Sequence, residues 1–287
     1  MVNLADLARG IGHGAPRDVT LQAYEAGHWV YCPIRRFSVR PVAREVKIAS
    51  MEFAKAPITE AVFELRFVDS ISSKDVGRIN KALRKKYSDS NATFEFDVAV
   101  EPQGIKQTRF EQTGFRLQSK DAADIAMIGA KSIVVARLAP YCGWDTLFER
   151  VQLAVSSVMS VAPMTRFSRL GVRFLNRLDV PPTMAESSLG DFFNLKAQNP
   201  FSEAAFSEAV QVVFKTSIPD WSARVSVLEV PSPLLAYRAF QLDIDVYREK
   251  NIPQKIDDLW NVFTEVHTLK NNIFLQSITD VTTALIS

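Results

Sequence analysis

Apolar and polar residues alternate along two segments of the chain, residues 58–67 and 169–179. A period of two is typical of a β-strand that packs one face on a core. The apolar positions are Ala61, Phe63, Leu65 and Phe67 in the first segment and Leu170, Val172, Phe174, Asn176 and Leu178 in the second. The opposite positions are Glu60, Glu64 and Arg66 in the first segment and Arg169, Arg173, Arg177 and Asp179 in the second. The sequence therefore predicts two half-buried strands with roughly complementary charge on their polar faces.

The elements that follow each of these strands are predicted in the same order. After the strand at 58–68 we expect a helix at 74–87, strands near 92–100, 106–118, 122–128 and 131–138, and a helix at 144–160. After the strand at 166–180 we expect a short helix near 187–195, strands near 205–218, 221–230 and 236–247, and a helix at 254–277. Strands joined by short turns are antiparallel. We predict an α+β fold: a tandem pair of related strand-helix-strands-helix units, with an antiparallel sheet and the helices on one face. The first strands of the two units are expected to be neighbours.

This order divides the chain into an N-terminal extension at 1–50, a first unit at 51–163 and a second at 164–287. The extension shows no sustained helical or strand period and carries seven basic and four acidic residues. It is interpreted as a poorly ordered tail or as sequence upstream of a true start at Met51, in preference to a basic arm for a partner or a nucleic acid.

Charge and composition narrow the classes of partner and compartment. The whole chain has a net charge of +2, so the body after residue 50 is close to neutral. Nucleic-acid affinity depends on many Lys and Arg contacts, and the charge balance therefore disfavours nucleic-acid binding by the body. No apolar run approaches the roughly 18 residues of a membrane span. The lack of such a run predicts no membrane partner. Two cysteines make no disulfide framework, which favours a reducing cytoplasm.

Three segments carry specific motifs: the Pro-x-x-Glu-Ala opening strand from Pro57, the Pro-Tyr-x-Gly-Trp segment from Pro140, and the Arg-Leu-Gly-x-Arg-x-x-Asn-Arg block from Arg169. Together they resemble a sporadically distributed bacterial family of uncharacterised proteins. The resemblance covers about residues 51–280 and supports Met51 as the original start. It implies no established activity, cofactor or catalytic set. The patchy distribution of the family suggests mobile or defence-related gene neighbourhoods.

Common catalytic and metal-binding patterns are missing from the sequence. The body has one histidine, His267, and one cysteine, Cys142, too few for a Cys/His zinc site. Gly-rich phosphate loops and Gly-x-Ser-x-Gly elbows do not occur. His267 is expected to be a largely buried imidazole, and Cys142 a turn residue before a helix. Asp243 and Asp245 share a strand face and are expected to be solvated, not metal ligands. We expect no catalytic residues, no metal and no cofactor.

The polar face of the two strands is the best candidate site. It comprises Glu60, Glu64, Arg66, Arg169, Arg173, Arg177 and Asp179. These groups either pair with one another as a structural ladder or, through surplus arginines, bind an anion. The favoured hypothesis is a non-catalytic binding or regulatory protein with an unknown protein partner. The alternative is an enzyme or small-anion binder that uses a carboxylate/arginine pocket between the units. A homodimer is a further assembly that the sequence allows.

Overall fold

The computed structural model describes the backbone of residues 19–25, 28–34, 53–101, 104–195 and 209–287, and the side chains of 53–95, 111–195 and 209–287. Its strands are β1 (Val19–Glu25), β2 (His28–Ile34), β3 (Ile58–Phe67), β4 (Asp89–Glu101), β5 (Gly104–Gln118), β6 (Asp124–Gly129), β7 (Ser132–Leu138), β8 (Phe167–Val180), β9 (Ala209–Lys215), β10 (Trp221–Val230) and β11 (Arg238–Arg248). Its helices are α1 (Ser73–Leu83), α2 (Trp144–Val161), α3 (Leu189–Phe192), α4 (Ile256–Ser277) and α5 (Asp280–Ile286), with a 3₁₀ turn at Pro182–Met184.

The strands form one sheet in the order β2-β1-β9-β10-β11-β8-β3-β7-β6-β5-β4. Every strand pairing within the described ranges is antiparallel. Nine of the eleven strands lie between Ile58 and Arg248. An antiparallel sheet with segregated helices confirms the predicted α+β class.

The two strands with the strongest alternation, β3 and β8, lie next to each other at the centre of the sheet. Their register places Leu65 opposite Leu170 and Phe63 opposite Val172. The prediction that these strands are neighbours is therefore confirmed. From this centre the strand order runs β3-β7-β6-β5 in one direction and β8-β11-β10-β9 in the other.

The helices cover one face of the sheet and leave the other face open at its centre. The buried side chains of β3 and β8 pack against α4, where Phe63 meets Phe263 edge to face at 5.0 Å between ring centroids. The α2 helix lies beside α4 on this face, with Trp144 stacked on Phe263 at 4.5 Å. Because side chains alternate along a strand, the intervening polar residues of β3 and β8 point to the opposite face.

Some elements differ from the sequence-based prediction. The segments 19–25 and 28–34 of the N-terminal extension pair with each other as β1 and β2, and β1 pairs with β9. No strand was expected there, and the rest of residues 1–50 lies outside the described residues. The α5 helix was also not expected, and α3 is one turn long. The first part of the strand expected at 205–218 lies outside the described residues as well. None of the described helices has the length and apolarity to cross a membrane.

Candidate functional site

A concavity of about 440 Å³ lies on the open face of the sheet, above the centre of β3, β8, β11 and β10. It is lined by Val62, Glu64, Arg66, Val134, Arg169, Gly171, Arg173, Arg224, Asp245, Tyr247 and Glu249. Ligand sites in proteins are typically concave and hundreds of cubic ångströms in volume. The predicted polar strand faces therefore do border a space in which a small ligand fits.

Arg169 forms the floor of the concavity by bridging three strands. Its Nη1 donates to Glu64 on β3, and its Nη2 donates to Asp245 on β11 at 3.4 Å. Its Nε lies 3.7 Å from Glu249, and its guanidinium lies 4.9 Å from the ring centroid of Tyr247. The side chain is only 13% exposed. Arg169 is thus a fixed part of the surface, with its donors directed along the sheet.

Two further arginines of the site pair with carboxylates but stay half exposed. Arg66 donates from Nε to Glu64 at 2.8 Å. Arg173 donates from Nε and Nη2 to the two oxygens of Asp243 at 2.8 and 2.6 Å. The hydrogen bond to Asp243 is the main cause of a raised pKa for the Arg173 guanidinium. A two-point contact of this kind fixes the plane of the guanidinium.

The positive surplus expected from the sequence is cancelled on this face. β11 lies beside β8 and contributes Asp243 and Asp245 to the face, and Glu249 follows directly after β11. With them, the four arginines around the concavity face four carboxylates, the fourth being Glu64. Asp243 and Asp245 are ion-paired, so the expectation that they are merely solvated was wrong.

Two groups in the concavity are less fully compensated than the others. Arg224 on β10 is exposed and makes no hydrogen bond or ion pair with the side chains that the structure describes. Asp245 is largely buried, and this burial raises its pKa, while Arg169 and Arg224 act in the opposite direction. Asp245 lies directly opposite Arg173 on β8 and Arg224 on β10. Among the described side chains, the site therefore combines a strongly paired floor with a guanidinium at its β10 side, that of Arg224, which makes no hydrogen bond or ion pair.

Three of the predicted site residues do not line the concavity. Arg177 donates to Asp179 at 3.1 Å farther along β8, and Asp179 also accepts a hydrogen bond from Ser232 at 3.1 Å. Glu60 lies on β3 outside the lining and is one of the charges that raise the Arg173 pKa. The structure thus brings together Glu64, Arg66, Arg169 and Arg173.

The sequence analysis did not assign Arg224, Tyr247 and Glu249 to the site. Along β11, Asp243, Asp245 and Tyr247 alternate with buried apolar residues, so the period-two pattern places them on the polar face. The pattern of one strand does not reveal which strand lies beside it. The pairing of β11 with β8 joins segments about 70 residues apart, and it is this pairing that completes the site.

His267 and Cys142 belong to separate environments. The His267 ring stacks on Trp144 at 4.0 Å and shares a hydrogen bond with Asn271 at 3.2 Å. Burial lowers its pKa to about 4. The exposed Cys142 thiol lies 3.1 Å from Arg137 Nη2. The two residues share no contact in the described part of the chain, which gives no support to a Cys–His nucleophile.

The amide of Asn176 is buried and bonds the backbone. Its Nδ2 donates to the carbonyls of Phe174 at 3.3 Å and Leu242 at 3.2 Å. Asn176 thus bonds the backbone on the core side of β8. Within the described ranges no group of three or more His, Cys, Asp or Glu residues is arranged to hold a metal ion.

Comparisons with known proteins identify no family for the chain. No protein-family model matches, and no curated protein matches. Among solved structures, the chain matches the crystal structure of an unknown protein from Galdieria sulphuraria at 11% identity and a TM-score of 0.16. The match covers 76% of this chain and 94% of the other.

Proposed function

We propose that the protein is a non-catalytic binding or regulatory protein and that its ligand or partner lies in the concavity on the open sheet face. The observation that carries this proposal is the arrangement of Arg169, held between Glu64 and Asp245 beneath an open space of about 440 Å³. Its partner is an unknown protein segment or a small anionic ligand.

The fixed geometry of the charged groups supports binding. Arg169 and Arg173 are each held by carboxylates, so little side-chain entropy is lost when a ligand contacts them. The lining contains no Ser, Cys or His side chain that could act as an activated nucleophile. A preorganised surface without a nucleophile is better suited to recognition than to covalent chemistry.

One observation favours an enzyme as the second candidate. Asp245 is a largely buried carboxyl with a raised pKa at the floor of a concavity, as expected for a general acid or base. In this case Asp245→Asn abolishes a turnover that the matched Asp179→Asn variant, outside the concavity, retains. A turnover unaffected by Asp245→Asn would contradict this role.

The binding proposal is tested with two arginines of the same strand. Arg173 lines the concavity, whereas Arg177, four residues along β8, pairs with Asp179 outside it. The full-length chain and the variants Arg173→Ala and Arg177→Ala are purified gently from the original host and weighed by native mass spectrometry. We expect a bound protein or small molecule on the wild type and on Arg177→Ala, and its loss from Arg173→Ala. Equal retention by both variants, or no bound mass on the wild type, contradicts the proposal.

The proposal extends to the origin of the fold and to the compartment. The orders β3-β7-β6-β5 and β8-β11-β10-β9 support two related units that share a sheet. Homologous sequences should then align residues 58–161 with residues 167–277, with β3 matched to β8. An alignment that matches β3 to another strand contradicts the duplication.

Cys142 is a free thiol, in keeping with a reducing cytoplasm, and a mainly oxidised thiol in the protein isolated from cells would contradict that location.

A further inference from the structure

We infer that Arg224 is the anchor of the concavity and that it binds an oxyanion, a carboxylate or phosphate group of the ligand. This inference rests on the proposed function and specifies the chemical class that the site recognises. Arg224 lies on β10, three strands away from β3, and is not part of the sequence-predicted set.

The contacts of the four arginines in the concavity separate Arg224 from the others. Arg169 directs all its nitrogens at carboxylates, Arg173 uses two nitrogens on Asp243, and Arg66 uses one on Glu64. Arg224 has no hydrogen-bond or ion-pair partner among the residues whose side chains are described. All five N–H donors of its guanidinium are thus available to a ligand, which is the arrangement that planar two-point recognition of an oxyanion requires.

The register of the sheet places a second arginine within reach of the same ligand. Arg173, Asp245 and Arg224 lie in one row across β8, β11 and β10. Neighbouring strands are about 4.8 Å apart, so the backbones of the two arginines are ~10 Å apart with Asp245 between them. Arg173 Nη1 has no ion-pair contact with a described side chain and can approach an anion that Arg224 holds.

Asp245 is the one carboxylate in this row, and its charge is already paired with an arginine. Its Oδ2 accepts from Arg169 Nη2 at 3.4 Å. Its side chain is only 16% exposed, so it lies below the level at which a ligand contacts the arginines. The carboxylate therefore opposes an anion above it less than an exposed carboxylate would.

The charge on the neighbouring strand points in the same direction. Lys215 on β9 pairs in register with Ser222, two residues before Arg224 on β10. Lys215 is exposed and has no ion-pair partner within the described side chains. Arg224 and Lys215 thus place positive charge on the β10 side of the concavity, whereas the other three arginines of the site face four carboxylates. A small ligand with one anionic end matches this distribution, and an extended polyanion does not.

Isothermal titration calorimetry at low ionic strength tests the inference on the full-length chain. The probes are inorganic phosphate and malonate in separate titrations, with sodium chloride at matched ionic strength as the reference. The variants are Arg224→Gln, Arg224→Lys and Arg84→Gln. Arg84 is an exposed arginine just after α1 that has no described side-chain partner and lies outside the concavity.

We expect one of the two probes to bind, with the same affinity for the wild type and for Arg84→Gln. The probe that binds identifies the ligand as a phosphate or a carboxylate compound. Arg224→Gln should weaken this binding at least about tenfold, because charge-assisted hydrogen bonds are lost. Arg224→Lys keeps the charge without the planar fork, and its affinity for the probe should lie between those of the wild type and Arg224→Gln. Arg224 is exposed, so unchanged circular dichroism of the variants should show that folding is retained.

Two results overturn the inference. One is the absence of any heat of binding with either probe for the wild type, and the other is unchanged affinity in Arg224→Gln. Either result leaves the comparison of Arg173→Ala with Arg177→Ala as a separate test of the binding function. A bound mass that depends on Arg173 but not on Arg224 would support the binding function and exclude Arg224 as the anchor.

Discussion

The guanidinium of Arg169 occupies the space that a side chain on Gly171 would fill. A Cβ atom at Gly171 would lie 2.8 Å from Arg169 Nη1, closer than van der Waals contact. The absence of a side chain lets Arg169 lie flat on the sheet and reach Glu64 and Asp245 on opposite sides. Gly171 thus leaves room for the Arg169 bridge. It lies in the middle of a strand, where no turn requires a glycine.

Gly171→Ala is therefore expected to destabilise the protein in spite of the better strand propensity of alanine. Displacement of Arg169 should lower the free energy of unfolding by about 1–2 kcal/mol, because largely buried charges lose their partners. In an Arg169→Gln background the same change should be neutral or stabilising by roughly 0.5–1 kcal/mol, since glycine in a strand is costly by itself. Urea denaturation of the four proteins in this cycle gives both values. The same destabilisation by Gly171→Ala in both backgrounds would show that Arg169 is not involved.

A second buried ion cluster joins β6, β7 and α2. Asp124 accepts from Arg137 Nη1 at 3.0 Å and from Arg150 Nε at 3.1 Å, and its side chain is 7% exposed. Asp124→Asn leaves the Arg150 guanidinium without its charged partner and Arg137 with only the exposed Asp121 at 3.6 Å, and we expect a loss of about 3–5 kcal/mol in the free energy of unfolding. Asp121, 60% exposed and 3.6 Å from Arg137, provides the control. Asp121→Asn should denature close to the wild type. Equal effects of the two changes would contradict the dominant role of the buried pair.

The strand pattern allowed most of the fold from β3 onward to be predicted, because alternation in segments such as β3 and β8 is dictated by burial of one face. The neighbourhood of β3 and β8 was predicted correctly as well. β1 and β2 were missed although each has seven residues, because the surrounding extension was treated as one irregular segment. Short helices such as α5 depend on tertiary contacts, for example the bond from Lys55 N to the Ile286 carbonyl at 3.0 Å.

The candidate site could be predicted only in part. Glu64, Arg66, Arg169 and Arg173 follow from the alternation of β3 and β8. Asp243 and Asp245, which pair with Arg173 and Arg169, come from β11, and the strand order that places β11 beside β8 is a property of the whole sheet. The sequence therefore predicted an excess of arginine, whereas in the folded protein the arginines and carboxylates around the concavity are equal in number.

His267 should make the stability of the protein sensitive to mild acid. Burial lowers its pKa from 6.5 to about 4, Lys270 contributes to the lowering, and Asp145 opposes it. The unfolded chain therefore binds more protons than the folded protein between about pH 6.5 and 4, and stability falls as the pH decreases through this range. His267→Phe keeps an aromatic ring on Trp144 and should remove roughly 1–3 kcal/mol of this decrease. Chemical denaturation of both proteins from pH 7 to pH 4 measures the difference. Parallel stability curves would show that another group is responsible.

Lys270 places an amine in the core between α4 and β8. The residue is 6% exposed, and its Nζ lies 3.9 Å from the ring centroid of Phe174, with no carboxylate partner in the described part of the chain. Burial lowers its pKa from 10.5 to about 7. A charged amine over an aromatic ring regains some energy, but less than the loss of hydration.

The cost of burying Lys270 should be visible as a rise in stability with pH. Between about pH 7 and 10.5 the unfolded chain holds a proton that the folded protein has released, so the free energy of unfolding increases with pH in this window. Lys270→Met retains the length of the side chain and should stabilise the protein at pH 7 by more than the ~1.4 kcal/mol that one pKa unit represents. The gain should decrease toward pH 10.5. Lys255→Met, at the exposed N-cap of the same helix, is the control and should show no such trend. Denaturation curves at pH 7, 8.5 and 10 measure the free energies of unfolding of these proteins. A Lys270→Met variant less stable than the wild type would mean that the amine is needed in the core.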